Sequence, residues 1–124
     1  MVLHFLLTFH QQKKLVTAMV KWYHSLYISE HAHKHEKQIR RQLNSGHASF
    51  RQYIITLASN GTDMLDIISG LFLPDSLIRC GLPMVVGIAD TKKEAVELVI
   101  RMTEDCLEKQ GNPDLRAFFS GGER

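Results

Sequence analysis

An α+β domain (α/β-like), built as a single small mixed sheet of about four strands with two main helices packed on it, is the fold class this sequence predicts. Three observations carry the expectation. WYHSLYIS, Trp22–Ser29, is aromatic and β-branched and alternates with a rough period of two, as a half-buried strand does. Asn60-Gly61 lies between two runs rich in Ile, Leu and Thr, a hairpin signature. DTKKEAVELVIRMTEDCLEK, Asp90–Lys109, couples a helix-start signal to apolar residues spaced three and four apart.

The 124 residues, 44% hydrophobic and 23% charged, suit one compact core. The net charge of +2 hides an asymmetry. Residues 1–62 carry eight Lys/Arg against two acids, and residues 63–124 seven against eleven, giving +6 and −4. Such a split fits a basic surface for an anionic partner, two subunits that attract one another, or charges that merely solvate helix faces. Cys80 and Cys106 form no CxxC pair and lie among apolar neighbours, so both are expected as small buried hydrophobes in a reducing compartment. No window reaches the length of a membrane span, and the opening residues resemble a signal peptide only loosely, lacking a basic start. The expected location is the cytoplasm.

Residues 1–20 are expected as a leader, with Met19 an alternative start, or as an extra amphipathic helix carrying Leu3, Leu6, Leu7 and His10 on one face. A single domain follows over 21–119. Its first strand spans 22–28. Ser29 is placed to cap a helix over 30–44, in which Ala32, His35, Ile39 and Leu43 form a narrow stripe and Gly46 takes the left-handed exit. Strands are expected at 50–58 and 64–69, with Asn60-Gly61 supplying the positive φ angles of the hairpin; a helix from Thr62 to Leu73 is the rival for the second run. LPDSLIRCG reads as a helical turn between Pro74 and Gly81. PMVVGIA reads as a strand covered on both faces. In the helix after it, Thr91 and Glu94 form a capping box; Ala95, Val99, Met102 and Cys106 make one apolar row, widened by Val96, Leu98, Ile100 and Leu107. QGNPD stops that helix, Leu115, Phe118 and Phe119 offer an apolar anchor, and 120–124 form a flexible tail.

From about Ser25 onward the chain resembles a group of short bacterial proteins with no assigned activity. LYIS running into a basic helix, YIITLAS with its hairpin, VVGIADTKKEAVELV and GNPDLRAFF carry the likeness. It implies a small α/β domain and no catalytic residues to carry over.

Catalytic signatures are missing: there is no Gly-rich phosphate loop before a helix, no GxSxG elbow and no HExxH. Asp90 falls at a strand end, where ligands of α/β sheets bind, but Asp90 and Thr91 also read as ordinary helix caps. SEHAHKHEKQIRRQ offers two kinds of chemistry. Lys34, Lys37, Arg40 and Arg41, with Arg51 nearby, are candidates to meet nucleic-acid phosphates. His31 and His35, four apart on a helix, could supply two arms of a zinc or nickel site while His33 points away; a solvated face is the stronger reading, so no metal and no cofactor is expected. Trp22 and Tyr27 read as core or interface before a base-stacking surface. The function expected is a small non-catalytic module that binds itself or another protein, with nucleic-acid binding through 30–44 as the alternative, an enzyme third, and no membrane partner.

Overall fold

The computed structural model describes residues 20–47, 49–60 and 62–121. The leader or helix expected over 1–20 therefore lies, apart from Val20, outside the described residues, as does the tail beyond Gly121. The elements are β1 (Trp22–Ile28), a 3-10 turn (Ala32–His35) that runs into α1 (Glu36–Asn44), β2 (Tyr53–Leu57), β3 (Leu65–Ser69), α2 (Asp75–Arg79), β4 (Val85–Ala89), α3 (Lys92–Gln110) and α4 (Leu115–Ser120). The strands form one mixed sheet in the order β1-β4-β2-β3. β4 runs parallel to β1, and β2 runs antiparallel to both β4 and β3.

All of β4 is buried, which its sequence VVGIA permits because no residue in it needs water on either face. On one side Val86, with Tyr23 and Ile55, packs against Leu98, Met102 and Cys106 of α3 and Leu115 and Phe119 of α4. On the other, Val85 and Ile88, with Ile54, pack against Ile39 and Leu43 of α1 and Ile78 of α2. The two main helices thus sit on opposite faces. Each buried aliphatic side chain contributes about 1.5–3 kcal/mol, and β4 is where both sets meet. The helix ends follow local chemistry: Gly46 and Gly111 take φ of 84° and 75° after α1 and α3, where a left-handed residue closes the last turn.

The structure departs from the expectations for identifiable reasons. The segment 30–44 is divided, because its first turn is 3-10 and only Glu36 onward is α-helical. β2 is shorter than 50–58, since Phe50 leaves the strand path to enter the core beneath α1. The run after Thr62 is a strand and not a helix. No described residue other than glycine has a positive φ, so Asn60 shapes its turn differently: its Oδ1 accepts from Thr62 N at 3.0 Å and Asp63 N at 2.7 Å. Val96, Ile100 and Leu107 do not widen the buried row of α3. They are exposed, because steps of 100° carry them to the far side once Ala95, Leu98, Met102 and Cys106 face the sheet. Cys80 is exposed beyond the end of α2, whose core position is filled by Ile78; Cys106 is buried, and its thiol donates to Asn112 O at 3.2 Å.

Two glycines allow close packing. A Cβ on Gly70 would collide with the Phe50 ring and stand 2.7 Å from the Phe50 carbonyl oxygen, which is backbone and cannot yield. A Cβ on Gly87 would lie 2.9 Å from Met102 Cε and 3.0 Å from Ile55 Cδ1, both ends of flexible side chains, and 3.2 Å from the Tyr27 carbonyl oxygen, a milder backbone contact than that at Gly70. Gly70→Ala is therefore expected to lower the unfolding free energy by about 3 kcal/mol and Gly87→Ala by about 1 kcal/mol. Urea unfolding checks the order, and a Gly70→Ala variant as stable as Gly87→Ala contradicts it.

Candidate functional site

β1 and β4 are parallel neighbours, and the chain leaves their C-terminal ends toward opposite faces, to α1 from one and to α3 from the other. That divergence opens a crevice of the kind in which open α/β sheets hold ligands. Ser29 N extends the strand pairing by donating to Ile88 O at 3.0 Å. Ser29 Oγ then accepts from Ala32 N at 3.3 Å and from Asp90 N at 3.1 Å, so one hydroxyl caps the 3-10 turn and joins the two strand ends. Glu94, one turn into α3, accepts from Asp90 N at 3.3 Å through Oε1 and from His31 Nδ1 at 2.9 Å through Oε2. The hydrogen bond from the Ser29 hydroxyl, followed by those from His31 and Asp90 N, holds the Glu94 carboxyl below its ordinary range. Being ionised, it can only accept, which places the imidazole proton on Nδ1. An open depression of about 200 Å³, lined by Ser29, Glu30, His31, Glu94, Glu97, Leu98 and Arg101, lies over this network.

The chemistry of the arrangement follows from its order. The Ser29 proton goes to a carboxylate and not to an imidazole, which is the wrong sequence of groups for making a serine nucleophile. Glu94 spends its lone pairs on Ser29, His31 and Asp90 N. The network works as a clasp between the β1–α1 loop and the start of α3, and His31 Nε2 is the ring atom it leaves uncommitted. Asp90 is not itself the cap. Thr91 Oγ1 accepts from Glu94 N at 3.1 Å as the N-cap of α3, and Asp90 Oδ1 accepts from Gln52 Nε2 at 3.1 Å, tying in β2. A second tie between β1 and α3 is Tyr27 Oη, which donates to Asp105 Oδ2 at 2.6 Å; burial, then Asp105, pushes the phenol well above its usual range.

The basic residues do not act as one group. Lys34, Lys37 and Arg41 are exposed and recur at spacings of three and four, with no ion pair among the described residues. Arg40 points elsewhere: its Nε donates to Glu36 Oε2 at 2.9 Å and its guanidinium lies 4.6 Å over the Trp22 ring. Arg51 is exposed on the approach to β2. His31 and His35 do not share a face in the way an α-helix would provide, because at three residues per turn four positions separate them by about 120°. His31 is taken up by Glu94. Among the described residues no group of three or more His, Cys, Asp or Glu could hold a metal ion.

Among the described residues the largest apolar exposure lies elsewhere. Leu71 and Phe72, in the turn that leaves β3, are 61% and 81% exposed. β3 is an edge strand, pairing with β2 alone among the described residues. An open edge is expected of so small a sheet, whereas the exposure of Leu71 and Phe72 is not; a run of three large apolar residues before proline, just after a strand, is the signal that could have marked a projecting turn.

No family model matches this chain, and comparison with curated proteins and with solved structures finds no significant similarity.

The clasp has a pH signature. Because the folded-state pKa of Glu94 is lowered, its contribution to stability is present above the ordinary carboxyl value of 4.5 and is lost as pH falls through the folded value below it. Glu94→Gln is expected to reduce stability at neutral pH and to flatten its decline below pH 4.5. Urea unfolding across that range checks this, and a variant with the wild-type acid profile contradicts it.

Proposed function

We propose that this chain is a small non-catalytic interaction module of the cytoplasm that associates with itself. The observation that carries the reading is the pairing of an open sheet edge with Phe72, 81% exposed, and Leu71 beside it. An unpaired edge offers main-chain donors and acceptors to a partner, and exposed large apolar side chains gain by being covered. The clasp at the β1 and β4 ends supports the same reading, since its serine and carboxylate are engaged in structural hydrogen bonds. No described helix is long and apolar enough to cross a membrane, which agrees with partners other than lipid. Sedimentation velocity across the micromolar range is expected to show association that rises with concentration. Phe72→Ser should abolish it while leaving the unfolding midpoint in dilute, monomeric solution unchanged, because the side chain lies outside the core. A wild-type chain that stays monomeric throughout overturns the proposal.

A second reading is nucleic-acid binding. The row of Lys34, Lys37 and Arg41, exposed and without acidic partners among the described residues, favours it. Replacing Lys37 and Arg41 with glutamine should weaken binding to DNA and RNA of every sequence alike and lower the salt slope by about two. Arg40→Gln should change the slope least, since Arg40 is already paired. Absence of binding at low salt removes this reading.

A further inference from the structure

We infer that the self-association proposed above is an edge-to-edge pairing of two copies, β3 against β3, antiparallel about Ile67. The inference rests on that proposal and specifies its interface. The hydrogen-bonding pattern fixes which groups are available. Gly70 N donates to Gln52 O and Ala58 N donates to Met64 O, so the even-numbered residues of β3 face β2. By the alternation of an antiparallel ladder, Leu65, Ile67 and Ser69 direct their N–H and C=O groups outward. The Ser69 carbonyl also takes Phe72 N at 3.1 Å, and its second lone pair remains for a partner.

The pattern is self-complementary. A two-fold axis through Ile67 pairs Ile67 with its counterpart, and Leu65 with Ser69 of the second copy, so each outward donor meets an outward acceptor. Asp66 is the one charge on the strand. Under that axis it stands opposite Ile68 and not opposite itself, which avoids a like-charge pair. Beyond the strand, the same register brings Leu71 and Phe72 of each copy toward Asp63 and Thr62 of the other, beside Met64, which is itself exposed. Beyond its short length and the single charge of Asp66, β3 has little to protect its edge. It has no lysine or proline, and its pairing with β2 runs without a bulge.

The self-complementary register, with Asp66 kept from facing itself, favours a second copy as the occupant. The exposed stripe of Val96, Ile100 and Leu107 on α3 is a weaker seat for a copy, because Glu97 and Glu104 flank it and two-fold helix pairing would set them against one another.

Ser69→Pro and Ser69→Ala test the pairing, with the wild-type chain as reference. Proline at 69 removes an outward N–H that no described group uses, so β2–β3 pairing is retained. Wild type and Ser69→Ala should dimerise alike, and Ser69→Pro should weaken dimerisation at least tenfold while unfolding cooperatively. A nitroxide on Asp66→Cys, with Cys80→Ser, gives an answer even where Ser69→Pro fails to fold. The pairing sets the two labelled positions on the diagonal, about 7–8 Å apart at Cβ, close enough for dipolar broadening that disappears on dilution. A wild-type dimer that survives Ser69→Pro unchanged, or shows no broadening, overturns the edge pairing and leaves self-association standing. A monomeric wild type overturns both.

Discussion

Burial of β4 on both faces is the constraint on which the rest of the structure depends. VVGIA has no polar side chain, so a sheet containing it at the centre must be covered above and below. The chain meets that requirement by sending α1 and α2 to one side and α3 and α4 to the other. Gly87 lets Met102 approach β4 from the α3 side, with Ile55 alongside. Because the coverage is two-sided, the chain must diverge after β1 and after β4, and the crevice between their ends is a consequence of the packing. It would be there whether or not a ligand used it.

Polar groups then hold what the apolar layers leave loose. Ser29, His31 and Glu94 close the divergence at one end of the sheet. At the other, Arg116 of α4 reaches the β2–β3 loop, where Nη2 donates to the carbonyls of Ala58 at 3.2 Å, Asn60 at 2.6 Å and Asp63 at 2.7 Å. A charged donor satisfying several loop carbonyls is worth more than a neutral hydrogen bond, and here it ties the hairpin to the last helix. With both ends of the sheet fastened in this way, the outer sides of β1 and β3 are left as the strand edges without a strand partner among the described residues, and β3 is the one beside the exposed Leu71 and Phe72.

Much of this was legible in the residues, and the reason differs by element. β1, β3, β4 and α3 could be read because their patterns are set by what lies directly beside them, a sheet face or a buried row. The outward turn of Val96, Ile100 and Leu107 could not, since a broad apolar helix face looks the same in sequence whether its flank is covered or bare. Cys80 misled for a similar reason: apolar neighbours do not place a residue that follows a helix of only five residues. In Asn60 the residue type was read correctly for a turn and its mechanism was not, because side-chain acceptance and positive φ both favour asparagine. The clasp was hidden for a deeper reason. His31 and Glu94 are 63 positions apart, and Glu94 had a sufficient local role in its capping box. Of the basic residues, only the structure separates Arg40, stacked on Trp22, from the exposed Lys34, Lys37 and Arg41.

A doubly covered β4 and an uncovered β3 make opposite demands on backbone protection, and the contrast between them is the heart of the architecture. Residue-resolved amide hydrogen exchange at low and high protein concentration reads both strands at once. The amides of Val86 and Ile88 should exchange only through global unfolding at either concentration. Those of Leu65, Ile67 and Ser69 should exchange quickly in dilute solution and become protected as concentration rises. Fast exchange in β4, or outward β3 amides indifferent to concentration, would contradict the structure–function relationship drawn here.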